Sequence, residues 1–345
     1  MDMDPPAVDT AALAERLSDL INSSWITQAI DAGIKLGVFE ELNSGASDVR
    51  ALATRLGCNA DTLRRLLQAL ECLELCEGTS GGVFALTAMG RLLPVRSEGS
   101  LGPWASLWNG PLAQLWTDLP GAVRSGRSGR DLRGQLHVFA HLEGDRDKAN
   151  AFNAAMASNS HWVAEAFARC APLASTKCLV DVGGGYGVLL AAVLQRHAGL
   201  RGIVFDLPHA VEGAQAQLAR LRDPRRANVV AGDFFECVPE GDAHVLKSVL
   251  HDWDGDDCRR ILHRCREATT RSGRIWIVER LVDGALGPTL RDRAWARSDL
   301  NMLVAHGACE RTAGEYSELL RDCGFSPGAI LPLAMGVSAL EAAAI

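Results

Sequence analysis

The sequence predicts an α/β protein in two parts. A mainly helical unit spans residues 1–105, and a doubly wound domain with a mixed, mostly parallel sheet spans residues 106–345. Three observations point there. A glycine-rich stretch, Asp181-Val182-Gly183-Gly184-Gly185-Tyr186-Gly187, joins the apolar run Cys178-Leu179-Val180 to a helix-like segment, Val188 to Leu194. Strand-like and helix-like segments then alternate as far as Glu279, the pattern of a parallel sheet covered on both faces. Upstream, residues 47–87 run helix, helix, hairpin, the outline of a winged helix.

Composition bounds the rest. The 345 residues are 48% hydrophobic and 22% charged, a globular profile. No apolar run approaches the roughly 18 residues of a membrane span, and Met1-Asp2-Met3-Asp4-Pro5-Pro6 lacks the basic, then apolar, pattern of a secretory signal. The ten cysteines form no C-x-x-C pair, so reduced thiols in a cytoplasmic protein are expected, not a disulfide frame or a zinc site. A net charge of −7 gives no basic field for nucleic acid or an anionic membrane.

In the first unit, Ala11 to Ala32 carries Leu13, Leu17, Leu20, Ile21, Ile26 and Ile30 on a broad apolar stripe and reads as one helix. A second helix starts near Ser47-Asp48 and stops at Gly57; a third, capped by Asn59 or Asp61, carries Leu63, Leu66, Leu67, Leu70 and Leu73. Cys76 to Thr87, with Gly81-Gly82 between two short apolar runs, reads as a hairpin. A winged helix can bind DNA through its second helix. Here residues 1–100 hold 8 Lys/Arg against 14 Asp/Glu, a net of −6, which favours subunit contact and a homodimer. The connection over 106–170 is rich in tryptophan. It has an expected exposed loop from Gly121 to Gly134, then helical character from His137 to Ala168, which includes Phe152 and Met156.

The glycine spacing narrows the ligand. A dinucleotide fingerprint, G-x-G-x-x-G, would want glycine or alanine at 188, where Val188 stands. What is present is D-x-G-x-G-x-G, beginning at Asp181 and passing through Gly183, Gly185 and Gly187. Downstream strands end in polar residues: Gly202 to Asp206, followed by Leu207; Asn228 to Ala231, followed by Gly232-Asp233-Phe234; Ala243 to Lys247, followed by Ser248 to Trp253; and Arg274 to Glu279. Ligands of open α/β sheets bind at such carboxyl ends. Asp206 suits ribose hydroxyls, Asp233 an adenine amino group, and Phe234 a ring face. His251 is the candidate base, with Glu279 and Glu310 as carboxylates to orient and charge-balance its ring.

These motifs resemble the plant-type and bacterial small-molecule O-methyltransferases, a class I, Rossmann-like family dependent on S-adenosylmethionine (SAM) with an N-terminal dimerisation domain. The resemblance rests on Asp181 to Gly187, Phe205 to Pro208, Gly232 to Phe235, Lys247 to Asp254, Ile277 to Glu279, Asp299 to Leu303, and Glu310-Arg311-Thr312. It implies His251 as general base flanked by Glu279 and Glu310. SAM would lie among Asp181, Gly183, Gly185, Asp206, Leu207, Asp233, Phe234 and Lys247, the last through its main chain. The acceptor would meet Phe152, Met156, Asp252 and Met302. The expected reaction is methylation of a hydroxyl, phenolic in type, on a small cyclic secondary metabolite. N- or C-methylation is the alternative, and a SAM-sensing winged-helix regulator a more distant one. Ala305-His306-Gly307-Ala308-Cys309 departs from the Asn-Pro-Gly-Gly stretch of many relatives, so acceptor contacts there are open. No metal is expected, although the spacing of Asp252, Asp254, Asp256 and Asp257 fits a metal site as well as a solvated helix start, so a metal-assisted catechol mechanism stands as a further alternative.

Overall fold

The computed structural model describes residues 9–110, 112–135, 139, 142, 144–282 and 284–345. It divides into two compact units, Met1–Asn109 and Gly110–Ile345.

The first unit contains α1 (Thr10–Ile21), α2 (Ser23–Lys35), α3 (Val38–Asn43), β1 (Ser47–Asp48), α4 (Val49–Leu56), α5 (Ala60–Cys72), β2 (Cys76–Gly78), β3 (Val83–Leu86) and α6 (Gly102–Asn109). Caps set the boundaries. Asp48 accepts from the N–H groups of Arg50 and Ala51, and Gly57 ends α4 at φ 65°. Asn59, not Asp61, caps α5, accepting from Asp61 and Thr62. The helix expected to run unbroken from 11 to 32 breaks at Asn22, which leaves the α region at ψ 0° and joins α1 to α2. Phe39, Leu52, Leu67 and Leu70 fill this unit's core. Helix α1 buries no residue, and Leu17, Leu20, Ile21 and Trp25 are all more than half exposed.

The second unit contains α7 (Leu119–Ser125), α8 (Gly129–Leu132), α9 (Arg146–Cys170), β4 (Cys178–Val182), α10 (Val188–Arg196), β5 (Arg201–Asp206), α11 (Pro208–Leu218), β6 (Ala227–Ala231), β7 (Gly241–Lys247), α12 (Gly255–Ala268), β8 (Thr269–Glu279), α13 (Leu290–His306), α14 (Ala313–Asp322), β9 (Phe325–Pro332) and β10 (Ser338–Ala344). The strand order is β6-β5-β4-β7-β8-β10-β9. Pairing from β6 through β8 is parallel, and β10 runs antiparallel to both β8 and β9. The order reverses between β4 and β7, which opens a crevice at their carboxyl ends.

Strand alternation sorts the side chains into two layers. Trp276 and Val278 of β8 pack with Phe167, Leu190 and Val193 on one face. Ile275 and Ile277 pack with Ile261, Tyr316 and Leu320 on the other. The stretch Gly121 to Gly134 is not simply an exposed loop. Ser128 and Asp131 form a reciprocal capping box that starts α8, and Ser128, Gly129 and Arg130 are buried. The helix expected from His137 begins at Arg146; residues 136–138, 140, 141 and 143 lie outside the described residues.

Candidate active site

Gly183, Gly185 and Gly187 all take positive φ, at 67°, 57° and 73°. L-residues rarely adopt this region, so the turn requires glycine on conformational grounds alone. At Gly183 a Cβ would also lie 2.8 Å from Cγ2 of Val249, whereas one at Gly185 would meet nothing within 4 Å. The turn is therefore packed on one side and open on the other. Asp181 is 1% exposed and sits under the turn, where burial pushes its carboxyl up to about 7 against the opposing pull of Lys247. A Cβ on Gly184 would lie 2.8 Å from the carboxyl carbon of Asp181, so Asp181 packs directly against the loop.

The carboxylate of Asp206 accepts from the N–H of Gly185 and from that of Leu207, both at 2.7 Å. Each oxygen keeps a lone pair for a further donor. Burial raises the pKa of Asp206, and these two N–H groups oppose the rise. Asp233 Oδ1 caps its own turn by accepting from the N–H of Phe235. Phe234 packs edge-on against Phe235 and Trp253. Lys247 is enclosed by Glu279, Asp181 and Asp252; burial lowers its pKa, and the three carboxylates resist that.

The chain leaves β7 through Ser248 at φ 54°, a strained value for a side-chain-bearing residue, and forms a short turn over Leu250–Asp252. That turn holds His251. Its Nδ1 lies 3.2 Å from Glu310 Oε1 and 3.4 Å from Glu279 Oε2, and its Nε2 lies 3.5 Å from Asp252 Oδ1. The side chains of His251 and Asp252 are 14% and 12% exposed, while those of Glu279 and Glu310 are at most 1% exposed. The ring can be reached, and its two flanking glutamates cannot. Glu279 Oε1 also accepts from the N–H groups of Val249 and Leu250, which fixes the turn to the end of β8.

Burial alone would lower the pKa of His251, but Glu279, Asp252 and Glu310 outweigh it and raise it to about 10. Burial pushes Glu279 up to about 7, with His251 pulling it back. Glu310 lies below its usual range: His251 and the hydroxyl of Ser298 prevail over burial. The cluster titrates as one unit.

Around it, Phe152 lies 6.0 Å from Phe139, which in turn lies 6.3 Å from Trp253 and 6.1 Å from His306. Met302 is buried on α13, and Met156 is half-buried on α9. Sequence reasoning missed several neighbours. Ser298 donates to Glu310 Oε1 at 2.5 Å, Asp299 accepts from the N–H of Glu310, and Arg311 donates to the carbonyls of Leu250 and Trp253. Asp299 and Arg311 stood within quoted motifs, but nothing local marked what they would touch. The ligating atoms of His251, Glu279 and Glu310 lie within 4.8 Å of one another, close enough for a cation. The aspartates after the turn are engaged elsewhere: Asp254 caps α12, and Asp256 and Asp257 pair with Arg259 and Arg260.

Residues 116–326 match the O-methyltransferase domain family, and residues 18–96 match the O-methyltransferase dimerisation domain. The chain is 32% identical to the phenazine O-methyltransferase PhzM of Lysobacter antibioticus, with 96% of each protein covered. It is 28% identical to a phenazine-1-carboxylate N-methyltransferase of Pseudomonas aeruginosa, over 96% of this chain and 98% of that one. The crystal structure of human N-acetylserotonin methyltransferase in complex with SAM superposes with a TM-score of 0.87 at 26% identity, 99% of each chain being covered.

Proposed function

This chain belongs to the SAM-dependent O-methyltransferase family, and from that premise we propose that it methylates a hydroxyl, phenolic in type, on a small cyclic secondary metabolite, with His251 as general base. One observation carries the reading. The turn that holds His251 lies against the glycine turn, through Val249 and Gly183, so a reachable imidazole backed by buried carboxylates adjoins the family's cofactor loop.

The residues present fit the cofactor. The open side of Gly185 leaves room for it, Asp206 keeps acceptor capacity for ribose hydroxyls, and Phe234 offers a ring face. Gly183, Leu207, Asp233 and the main chain of Lys247 complete the crevice, with Asp181 acting through the turn above it. Bound SAM supplies an electrophilic methyl on a sulfonium whose positive charge also depresses the pKa of a nearby imidazolium. The two carboxylates facing Nδ1 of His251 hold a proton on that nitrogen, which leaves Nε2 to take the acceptor's proton. Asp252 then stabilises the imidazolium that forms. Phe152, Met156 and Met302 are assigned to the acceptor side.

The test is a methyl-transfer screen over phenols with product mass spectra and NMR. Methoxy products are expected, and exclusive N- or C-methyl products would refute the reading. N-methylation is the second reading, favoured by the N-methyltransferase among the relatives. A chelator is expected to leave turnover unchanged, since the proposed chemistry needs no metal; a rate restored only by added divalent cation would assign His251, Glu279 and Glu310 to a metal instead.

Asp206→Ala should weaken SAM binding by about 1–3 kcal/mol, the cost of leaving buried hydroxyls unpaired. Calorimetry reads this directly, and an unchanged affinity would remove Asp206 from the site.

The first unit is assigned to homodimer formation. Its match to the dimerisation domain and the exposed stripe of α1 support this, since contiguous apolar surface marks interfaces. Leu17→Asp combined with Leu20→Asp should convert dimer to monomer in sedimentation at micromolar concentration. Wild-type protein that already sediments as a fully active monomer would disprove the assignment.

A further inference from the structure

Two imidazoles converge on one carboxylate oxygen. Asp252 Oδ1 lies 3.5 Å from Nε2 of His251 and 3.4 Å from Nε2 of His306. We infer that His306 is a specificity-determining residue, and that it selects acceptors carrying a second hydrogen-bonding oxygen beside the hydroxyl that is methylated. The inference rests on the reading of His251 as the base.

The two histidines arrive from different elements. His251 comes from the turn after β7, and His306 is the last residue of α13, which Gly307 terminates at φ 69°. Both present the same ring nitrogen to Asp252, so both tips face one small region. His251, Asp252 and His306 have side-chain exposures of 14%, 12% and 14%, whereas Glu279 and Glu310 are closed off. The polar surface an acceptor can touch is therefore a His–Asp–His row, not a single base. Phe139, tilted at 43° with its ring centre 6.1 Å from that of His306 and 6.3 Å from that of Trp253, places the second imidazole beside an aromatic wall.

A monohydroxy aromatic would use one end of this row. An acceptor with oxygens on adjacent carbons, or in a peri relation across fused rings, would use both: one oxygen loses its proton to His251 Nε2 while the other hydrogen-bonds to His306 Nε2. Asp252 couples the ends, because it orients either imidazole. A planar, fused or ortho-substituted ring matches the aromatic wall as well as the row.

The experiment compares 1-naphthol, 2,3-dihydroxynaphthalene and 1,8-dihydroxynaphthalene as acceptors for methyl transfer from SAM. Wild-type enzyme should favour at least one diol over 1-naphthol by about 10-fold in kcat/KM, roughly one hydrogen bond's worth. In His306→Leu that ratio should fall toward one, and His306→Gln, which can still donate, should keep part of it. Circular dichroism and SAM calorimetry on each variant confirm an intact fold and cofactor site. A wild-type ratio near one, a ratio that survives in folded His306→Leu, or no transfer to any probe by enzyme that binds SAM would each overturn the inference. If His251→Ala left transfer to 1-naphthol unimpaired, the underlying reading would fail instead, and the two failures are distinguishable.

Discussion

His251→Ala is expected to lower turnover by roughly 10²–10⁴-fold, the range for loss of a positioned general base. SAM affinity should barely change, because the proposed cofactor contacts lie at the ends of β4 and β5, in the turn after β6 and on the main chain of Lys247, and do not include the His251 side chain. The pH dependence follows from the pKa. A base works in its unprotonated form, and three carboxylates raise His251 to about 10 in the free protein. The rate should therefore climb with pH, about tenfold per unit below the governing pKa, with its limb above the ordinary imidazole value near 6.5. The sulfonium of bound SAM moves that limb downward, so kcat/KM for the acceptor at saturating SAM should rise at lower pH than in the free protein. Glu310→Gln removes one of the negative neighbours and should move the limb lower again at a smaller loss of rate. High pH should partly rescue His251→Ala with a phenol, whose own pKa is near 10. Single-turnover rates across this pH range are the measurement. An unimpaired His251→Ala enzyme would mean proximity alone suffices, or that the atom methylated is nitrogen or carbon.

Local chemistry made much of the fold readable. Near-continuous apolar runs along Cys178–Val182 and Arg274–Glu279 report strands buried on both faces, and a glycine turn between strand and helix marks where a ligand can approach the backbone. Strand ends locate a crevice without knowledge of the helices around it. The positions of Asp206, Asp233, His251 and Glu279 at or just beyond strand ends are legible for that reason. Residues that act across long sequence separations are not. His306 meets Asp252 only because α13 ends beside the turn after β7, and no spacing within 290–312 encodes that approach. The same holds for Ser298 on Glu310, which depends on one turn of α13 facing one glutamate. The break at Asn22 was hidden by an apolar stripe that continues across it, since hydrophobic period reports a face and not a helix boundary. The start of α8 was hidden by composition: Ser-Gly-Arg-Ser-Gly-Arg reads as a loop until Ser128 and Asp131 are seen as a capping box.

Arg311→Met is expected to lower the stability of the second unit by about 3 kcal/mol and its Tm by about 6–10 °C. Arg311 is 7% exposed, and its guanidinium bridges the turn that holds His251, with Nη1 donating to the carbonyl of Leu250 at 2.8 Å and Nη2 to that of Trp253 at 2.7 Å. These carbonyls bracket His251 and Asp252. Methionine fills similar volume but removes both charge-assisted donors; the carbonyl of Leu250 keeps the N–H of Trp253 at 3.3 Å and the weakly donating Cys258 thiol at 3.2 Å, and that of Trp253 keeps the thiol at 3.6 Å. Charge-assisted bonds from a planar fork fix two oxygens at once, and a lysine ammonium cannot span both in that geometry. Arg311→Lys should therefore recover only part of the loss. The effect should extend to rate, because the turn sets where Nε2 of His251 points. A displacement of about 1 Å there costs on the order of 10²-fold. Thermal unfolding and single-turnover kinetics on the same samples, below the lowered Tm, separate the two consequences. If both variants kept wild-type Tm and rate, the turn would owe its position to Glu279 and the strained Ser248 alone, and Arg311 would be only a buried cation over the ring of Tyr316.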